Sequence, residues 1–163
     1  MITLYHGSSE IVKNPEIRVP DRTLDFGDGF YLTSSFRQAE NWVKRHLPDS
    51  VKYGYVNTYS FYQTKALSEL KILSFDSPNE EWLDFVMSNR RIPGFVHDYD
   101  IVIGPVANDR VYTAFSLYES GIISKDILIK ELKTYLLVDQ YLFHTPKALE
   151  YLNFVSSKRR YND

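Results

Sequence analysis

Two short stretches hold the residue types with the most chemistry to offer. In "LYHGS" an apolar run meets His6, Gly7 and Ser8; in "DFGDGFYLT" (residues 25–33) Gly27 and Gly29 precede the adjacent aromatics Phe30 and Tyr31. An imidazole at the end of a strand either bonds backbone or meets a ligand, because it can donate and accept near neutral pH. The glycine-flanked run allows three readings: a phosphate-handling loop, a turn before a buried strand, or a wall that holds a ligand.

The phosphate reading is the weakest. Asp25-Phe26-Gly27 matches the magnesium-binding tripeptide of protein kinases. A kinase also needs a glycine-rich loop and a strand lysine, and neither precedes residue 25. Other chemistries are excluded by composition or spacing. The chain has no cysteine, which removes thiolate nucleophiles and cysteine-based zinc sites. His6, His46, His97 and His144 offer no pair at helical i, i+4 spacing, so no metal is expected. G-x-S-x-G is absent, as is G-x-G-x-x-G after the first strand. With 19 basic against 21 acidic residues and a net charge of −2, no global field draws the chain to nucleic acid or membrane. The one tight basic run, Lys158-Arg159-Arg160, reads as a solvated tail. Aromatics reach 15%, either as core volume or partly as a stacking surface. The start "MITLYHGSSE" lacks the pattern of a signal peptide and no window is long enough to span a membrane, so the expected compartment is the cytoplasm.

The elements that must position these residues mix strands and helices without βαβ alternation. That pattern predicts an α+β class in a single domain over 1–163. Residues 2–5 read as a buried strand ending in the turn-like 6–9, with Pro15 and Pro20 punctuating the loop that follows. The "GFYLT" run is a second strand. Residues 34–47 form a serine-capped helix, with Phe36, Ala39, Trp42, Val43 and Leu47 at helical spacing. "VKYGYVNTYSFY" gives one or two strands, and a helix starts near Ser77 with Arg90 and Arg91 complementing its dipole. "DYDIVIGPV" is a buried strand, and two helices follow it. "DQYLFHT" and "NFVSS" are late strands, with a helical turn in "PKALEYL" between them.

In order and separation, a strand ending in His-Gly-Ser and then Gly-x-Gly-Phe-Tyr resembles the NAD-binding signature of ADP-ribosyltransferases of the diphtheria-toxin and poly(ADP-ribose) polymerase type. Nearly the whole chain, including "QAENW", "EWLDFVMSNR", "DYDIVIGPVAND" and "DQYLFHT", looks like a bacterial domain-of-unknown-function family placed in that superfamily. The resemblance implies a split, mostly antiparallel sheet flanked by helices, with NAD as co-substrate and no metal. It implies that His6 meets the adenosine ribose, Gly7 the nicotinamide amide and Ser8 the nicotinamide ribose. Tyr31 would stack on the nicotinamide, while Gly27 and Gly29 leave it room. Gln140 falls where that superfamily usually carries a catalytic glutamate. Gln can keep a hydrogen bond to the ribose 2′-OH but brings no charge, which leaves a specialised transferase, an enzyme using another carboxylate, or a module that only binds NAD or ADP-ribose. Asp139 is a poor substitute, since strand neighbours face opposite sides. Asp98, Asp100 and Asp109 read first as turn or cap residues. The family's usual context implies a toxin or defence effector, an acceptor that is protein or nucleic acid, and an antitoxin or other inhibitory partner.

Overall fold

The computed structural model describes residues 1–19 and 24–162; Pro20 lies outside them. Strand β1 (Ile2–Ser8) does not stop at Tyr5 but takes in His6, Gly7 and Ser8. It pairs antiparallel with β3 (Tyr53–Phe61) from Ile2↔Phe61 to Ser8↔Tyr55, so pairing distant in sequence overrides the local turn propensity. Strand β7 (Leu152–Tyr161) lies on the other side of β3 and completes a three-stranded sheet in the order β1-β3-β7. The basic run Lys158-Arg159-Arg160 is therefore the end of a paired strand, not a tail.

The second sheet runs β2-β6-β5-β4, from β2 (Phe30–Leu32), β6 (Asp139–Phe143), β5 (Ile101–Pro105) and β4 (Ile72–Ser74). Its pairings are antiparallel except β4 with β5. Antiparallel and mixed sheets with six helices among the described residues make the class α+β, as the pattern of elements predicts.

Helix α1 (Phe36–His46) starts where Ser35 accepts from the Gln38 N–H, and it packs Ala39, Val43 and Leu47 on Val56 of the first sheet. Helix α2 (Gln63–Glu69) has no side-chain cap and joins β3 to β4. Helix α3 (Glu80–Arg91) starts three residues after Ser77 because Asn79 caps it, accepting from Trp82 N–H at 2.9 Å. Asn108 caps α4 (Asp109–Glu119) in the same way; α5 (Lys125–Leu132) and α6 (Pro146–Leu149) follow.

The layers follow from side-chain alternation along each strand. The face of the first sheet away from α1 presents Leu4, Tyr59 and Phe61 to Phe30, Leu32, Ile101, Tyr141 and Phe143 of the second sheet. The outer face of the second sheet places Val102 and Leu142 under Trp82, Val86, Val111, Phe115, Leu128 and Leu132 of α3–α5. Each such buried side chain contributes about 1.5–3 kcal/mol by leaving water. Much of the aromatic surplus fills these two layers. Among the described residues, no helix is long and apolar enough to cross a membrane.

Candidate functional site

Among the described residues, the main chains of the two sheets bond each other at one point. Tyr5 and Thr33 exchange main-chain hydrogen bonds of 2.8 and 2.9 Å, and this isolated bridge is where β1 and β2 touch before they part. His6 sits in the angle of that fork. Its Nδ1 donates to the Tyr31 carbonyl at 2.7 Å, and its ring packs against Phe30 at 4.2 Å between centroids. A carbonyl can only accept, so the proton is on Nδ1 and Nε2 carries the lone pair. Burial pushes the His6 pKa down to about 4, against the raising effect of the Tyr31 bond. The imidazole is therefore neutral near pH 7, with one acceptor nitrogen uncommitted among the described residues.

Gly7 comes next along β1. Because Tyr5 directs its N–H and C=O toward β2, the residue two places on directs its own the same way. The main-chain groups of Gly7 therefore face the opening of the fork, where no group of the described residues bonds them. Its α-carbon faces the other way, and a Cβ there would come within 2.4 Å of the Ala39 carbonyl. Glycine is needed at this position so that α1 can lie close on β1. Ser8 ends the strand, its Oγ accepting from Glu10 N–H at 3.2 Å.

The loop 24–29 is fastened from several sides. The Tyr31 hydroxyl donates to the Gly27 carbonyl at 2.5 Å and accepts from Phe26 N–H at 3.2 Å. Burial, first among its causes, pushes that hydroxyl's pKa well above the ordinary range. His97 Nε2 donates to the Phe26 carbonyl (2.8 Å) and His144 Nδ1 to that of Asp28 (2.6 Å), with the two imidazoles 4.1 Å apart. Gly29 has φ +148°, and a Cβ there would come within 2.4 Å of the Phe143 carbonyl. Only glycine brings the loop this close to β6.

This folding buries Asp25. Its carboxylate accepts from the Tyr112 hydroxyl at 3.2 Å, with Arg90 Nη1 at 3.7 Å. Burial raises its pKa; the Arg90 charge, the Tyr112 hydroxyl, the nearby Ala107 N–H and the nearby Gln140 amide pull the other way. Gln140 lies in register with Gly104 of β5 and is 9% exposed. Its amide is near enough to support the Asp25 charge, yet among the described residues its buried Nε2 has no partner in hydrogen-bonding geometry.

The residues expected from sequence thus divide over two faces. His6, Gly7 and Ser8 line the fork, and His6 reaches Tyr31 through the Tyr31 main chain. Tyr31 and Gln140 share the outer face of the second sheet, since Tyr31 pairs with Leu142 and Gln140 is two residues before it. Asp139 turns away and binds Thr33 and Ser34. Asp98 pairs with Lys71, and Asp100 accepts from Thr145 Oγ1 at 2.7 Å. Arg90 is committed to Asp25 and Arg91 to Glu119. Asp25 is the residue that sequence reasoning set aside, and its signal was the spaced glycines that fold it inward. A cavity of about 290 Å³ borders the loop at Gly27, Asp28, Arg90, His97 and His144; His6, Tyr31 and Gln140 do not line it.

Residues 2–154 match the model of a family described as a protein of unknown function, DUF3990. No curated protein matches the chain.

Proposed function

The chain belongs to the DUF3990 family, and we propose that it is an NAD-dependent ADP-ribosyltransferase-like protein. It would transfer ADP-ribose from NAD to an acceptor and act as a bacterial toxin or defence effector under an inhibitory partner. The observation that carries this reading is the fork. A neutral His6 is locked by its Nδ1 bond with Nε2 left to accept, beside Gly7 main-chain groups that face the opening. A hydroxyl of a ribose suits the first, and a primary carboxamide, which donates and accepts, suits the second.

In the reaction, the bond between the ribose C1′ and the nicotinamide nitrogen breaks. The electron pair leaves with nicotinamide, which becomes neutral, and C1′ acquires oxocarbenium character. The acceptor nucleophile then bonds to C1′ and releases its proton to solvent. His6 and Gly7 hold and orient the dinucleotide. Gln140 would hydrogen-bond a ribose hydroxyl, and Asp25, behind Gln140, would supply the negative charge that the glutamine lacks. A preorganised electrostatic group of this kind is worth about 10²–10³ in rate. Cytoplasmic residence fits the reading.

One observation favours a second reading. Gln140 is uncharged and its Nε2 is buried, which suits a module that binds NAD or ADP-ribose without turning it over, or an interaction domain. Calorimetric titration of NAD, combined with measurement of nicotinamide release in the presence of protein and nucleic-acid acceptors, separates them. Binding with release that His6→Ala abolishes is the expected result. Binding without release supports the module, and no binding overturns both ligand readings.

A further inference from the structure

The first sheet extends past the second, and the part left uncovered is neither neutral nor smooth. Residues in register share a face, so Ser8, Tyr55 and Arg159 form one row across the three strands, and Tyr53 with Tyr161 forms the next. This is the face that carries His6 two residues from Ser8. Tyr53 and Tyr161 are 37% and 59% exposed. Their rings lie 6.1 Å apart, Tyr53 and Tyr55 are 5.9 Å apart, and the Arg159 guanidinium sits 4.4 Å over Tyr53. Among the described residues, the Arg159 guanidinium is engaged by the Tyr161 and Tyr55 side chains and by no carboxylate.

The surroundings are basic although the chain as a whole is not. The last turn of α1, the segment leading into β3 and the end of β7 bring Lys44, Arg45, Lys52, Lys158, Arg159 and Arg160 to one end of the sheet, with Asn162 N–H bonding the Lys52 carbonyl. Of the β7 cations Arg159 shares the aromatic face, whereas Lys158 and Arg160 lie over the Phe36 ring on the α1 face. Among the described residues, Glu40, which Arg160 already engages, and Asp49 stand against these, and Lys44 has a partner of its own. By register, no carboxylate lies on the aromatic rows themselves.

We propose that this open end of the β1-β3-β7 sheet docks single-stranded nucleic acid. Bases stack on Tyr53 and Tyr161, Arg159 meets the phosphates on the same face, and the other cations around this end of the sheet add long-range attraction. Exposed rings on a sheet hold unpaired bases whatever their sequence, and neighbouring cations hold the backbone. Binding itself does not depend on NAD chemistry. The added step, that the docked strand is the ADP-ribose acceptor, rests on the transferase reading and on the continuity of Ser8 with Tyr55 and Arg159.

Anisotropy of a short fluorescein-labelled oligothymidine tests it, using the full chain without NAD. The expected result is binding that weakens with salt and falls about 10-fold in Tyr53→Ala and in Tyr161→Ala. Arg159→Ala should lower the salt slope by about 1. Lys147→Ala, on α6, should match the parent. Absence of binding at low salt, equal affinity for a duplex, or unchanged affinity in the tyrosine variants overturns the proposal. NAD titration of the same variants keeps the two readings apart. Variants that lose NAD affinity while oligothymidine binding is unchanged show a dinucleotide surface and overturn the nucleic-acid assignment. NAD bound without oligothymidine overturns it too, leaving the NAD reading intact, whereas oligothymidine bound without NAD supports it and sinks the transferase.

Discussion

Asp25 and Gln140 form an unusual pair: a buried acid with a raised pKa beside a buried amide with one donor unmet. If they serve catalysis, their replacement should affect turnover and stability in different directions. Gln140→Leu removes a polar group whose desolvation is uncompensated, so it should leave stability within about 1 kcal/mol of the parent or raise it. The same change should lower nicotinamide release by about 100-fold. Denaturant unfolding and the release assay on one preparation check both, and normal turnover would remove Gln140 from the site. Asp25→Asn should likewise lower turnover with NAD affinity nearly unchanged. The parent's rate should fall as pH drops through an apparent pKa above the usual carboxylate range, where Asp25 takes up its proton. His6 carries the opposite shift. Its folded pKa, about 4, is below the unfolded value near 6.5, so between these values the unfolded chain binds more protons. Stability from this group is complete above about pH 6.5 and is lost as pH falls toward 4, by at most about 3 kcal/mol. Comparing urea midpoints of the parent and His6→Gln at both ends isolates that contribution, and parallel curves would contradict it.

At the scale of elements, the glycines decide how closely β1, α1 and β6 approach. Gly7→Ala puts a methyl against the Ala39 carbonyl, where rigid helix backbone has to move. A cost of about 2–3 kcal/mol is expected, together with weaker NAD binding as β1 shifts at the fork. Thermal unfolding and calorimetry read the two effects; an unchanged unfolding midpoint would show that α1 yields without cost. Much of this level was legible in the sequence. Helix α1 announces itself through apolar period and a serine cap, and β5 and β6 through short β-branched or aromatic runs. Other elements left weaker marks. Helix α2 has seven residues and no side-chain cap, and β4 has three residues that become a strand only by pairing with β5. The length of β7 was hidden because a bulge opposite Thr58 and Tyr59 breaks its alternation and its last turn of sequence is basic. His6 and Tyr31 could be singled out by type and order. Their meeting through one carbonyl, and the inward turn of Asp25, depend on contacts between distant segments that no local pattern encodes.

At the scale of the molecule, the candidate site lies where two sheets with separate strand ladders are held together, among the described residues, by the Tyr5–Thr33 bridge, the His6–Tyr31 bond and an apolar layer. Phe143 belongs to the second sheet, yet it is fully buried and its ring lies 5.1 Å from that of Phe61 in the first. Phe30, one residue before Tyr31, likewise meets Tyr59 across the layer at 5.8 Å. If this layer couples the sheets, damage on one side must be felt on the other. Phe143→Ala should cost about 3–5 kcal/mol through lost burial and the cavity left behind. Amide exchange should quicken in β3 of the first sheet as well as in β6, and the Tyr5 and Thr33 amides of the bridge should quicken with both. Were the sheets independent, the bridge amides would already exchange faster than either sheet in the parent, and the Phe143 change would stay confined to the second. Coupling matters for the site because His6 and Gly7 come from one sheet and Tyr31 and Gln140 from the other. A ligand that spans the fork then gains from a relation between sheets set by Phe30, Phe61 and Phe143, none of which it touches.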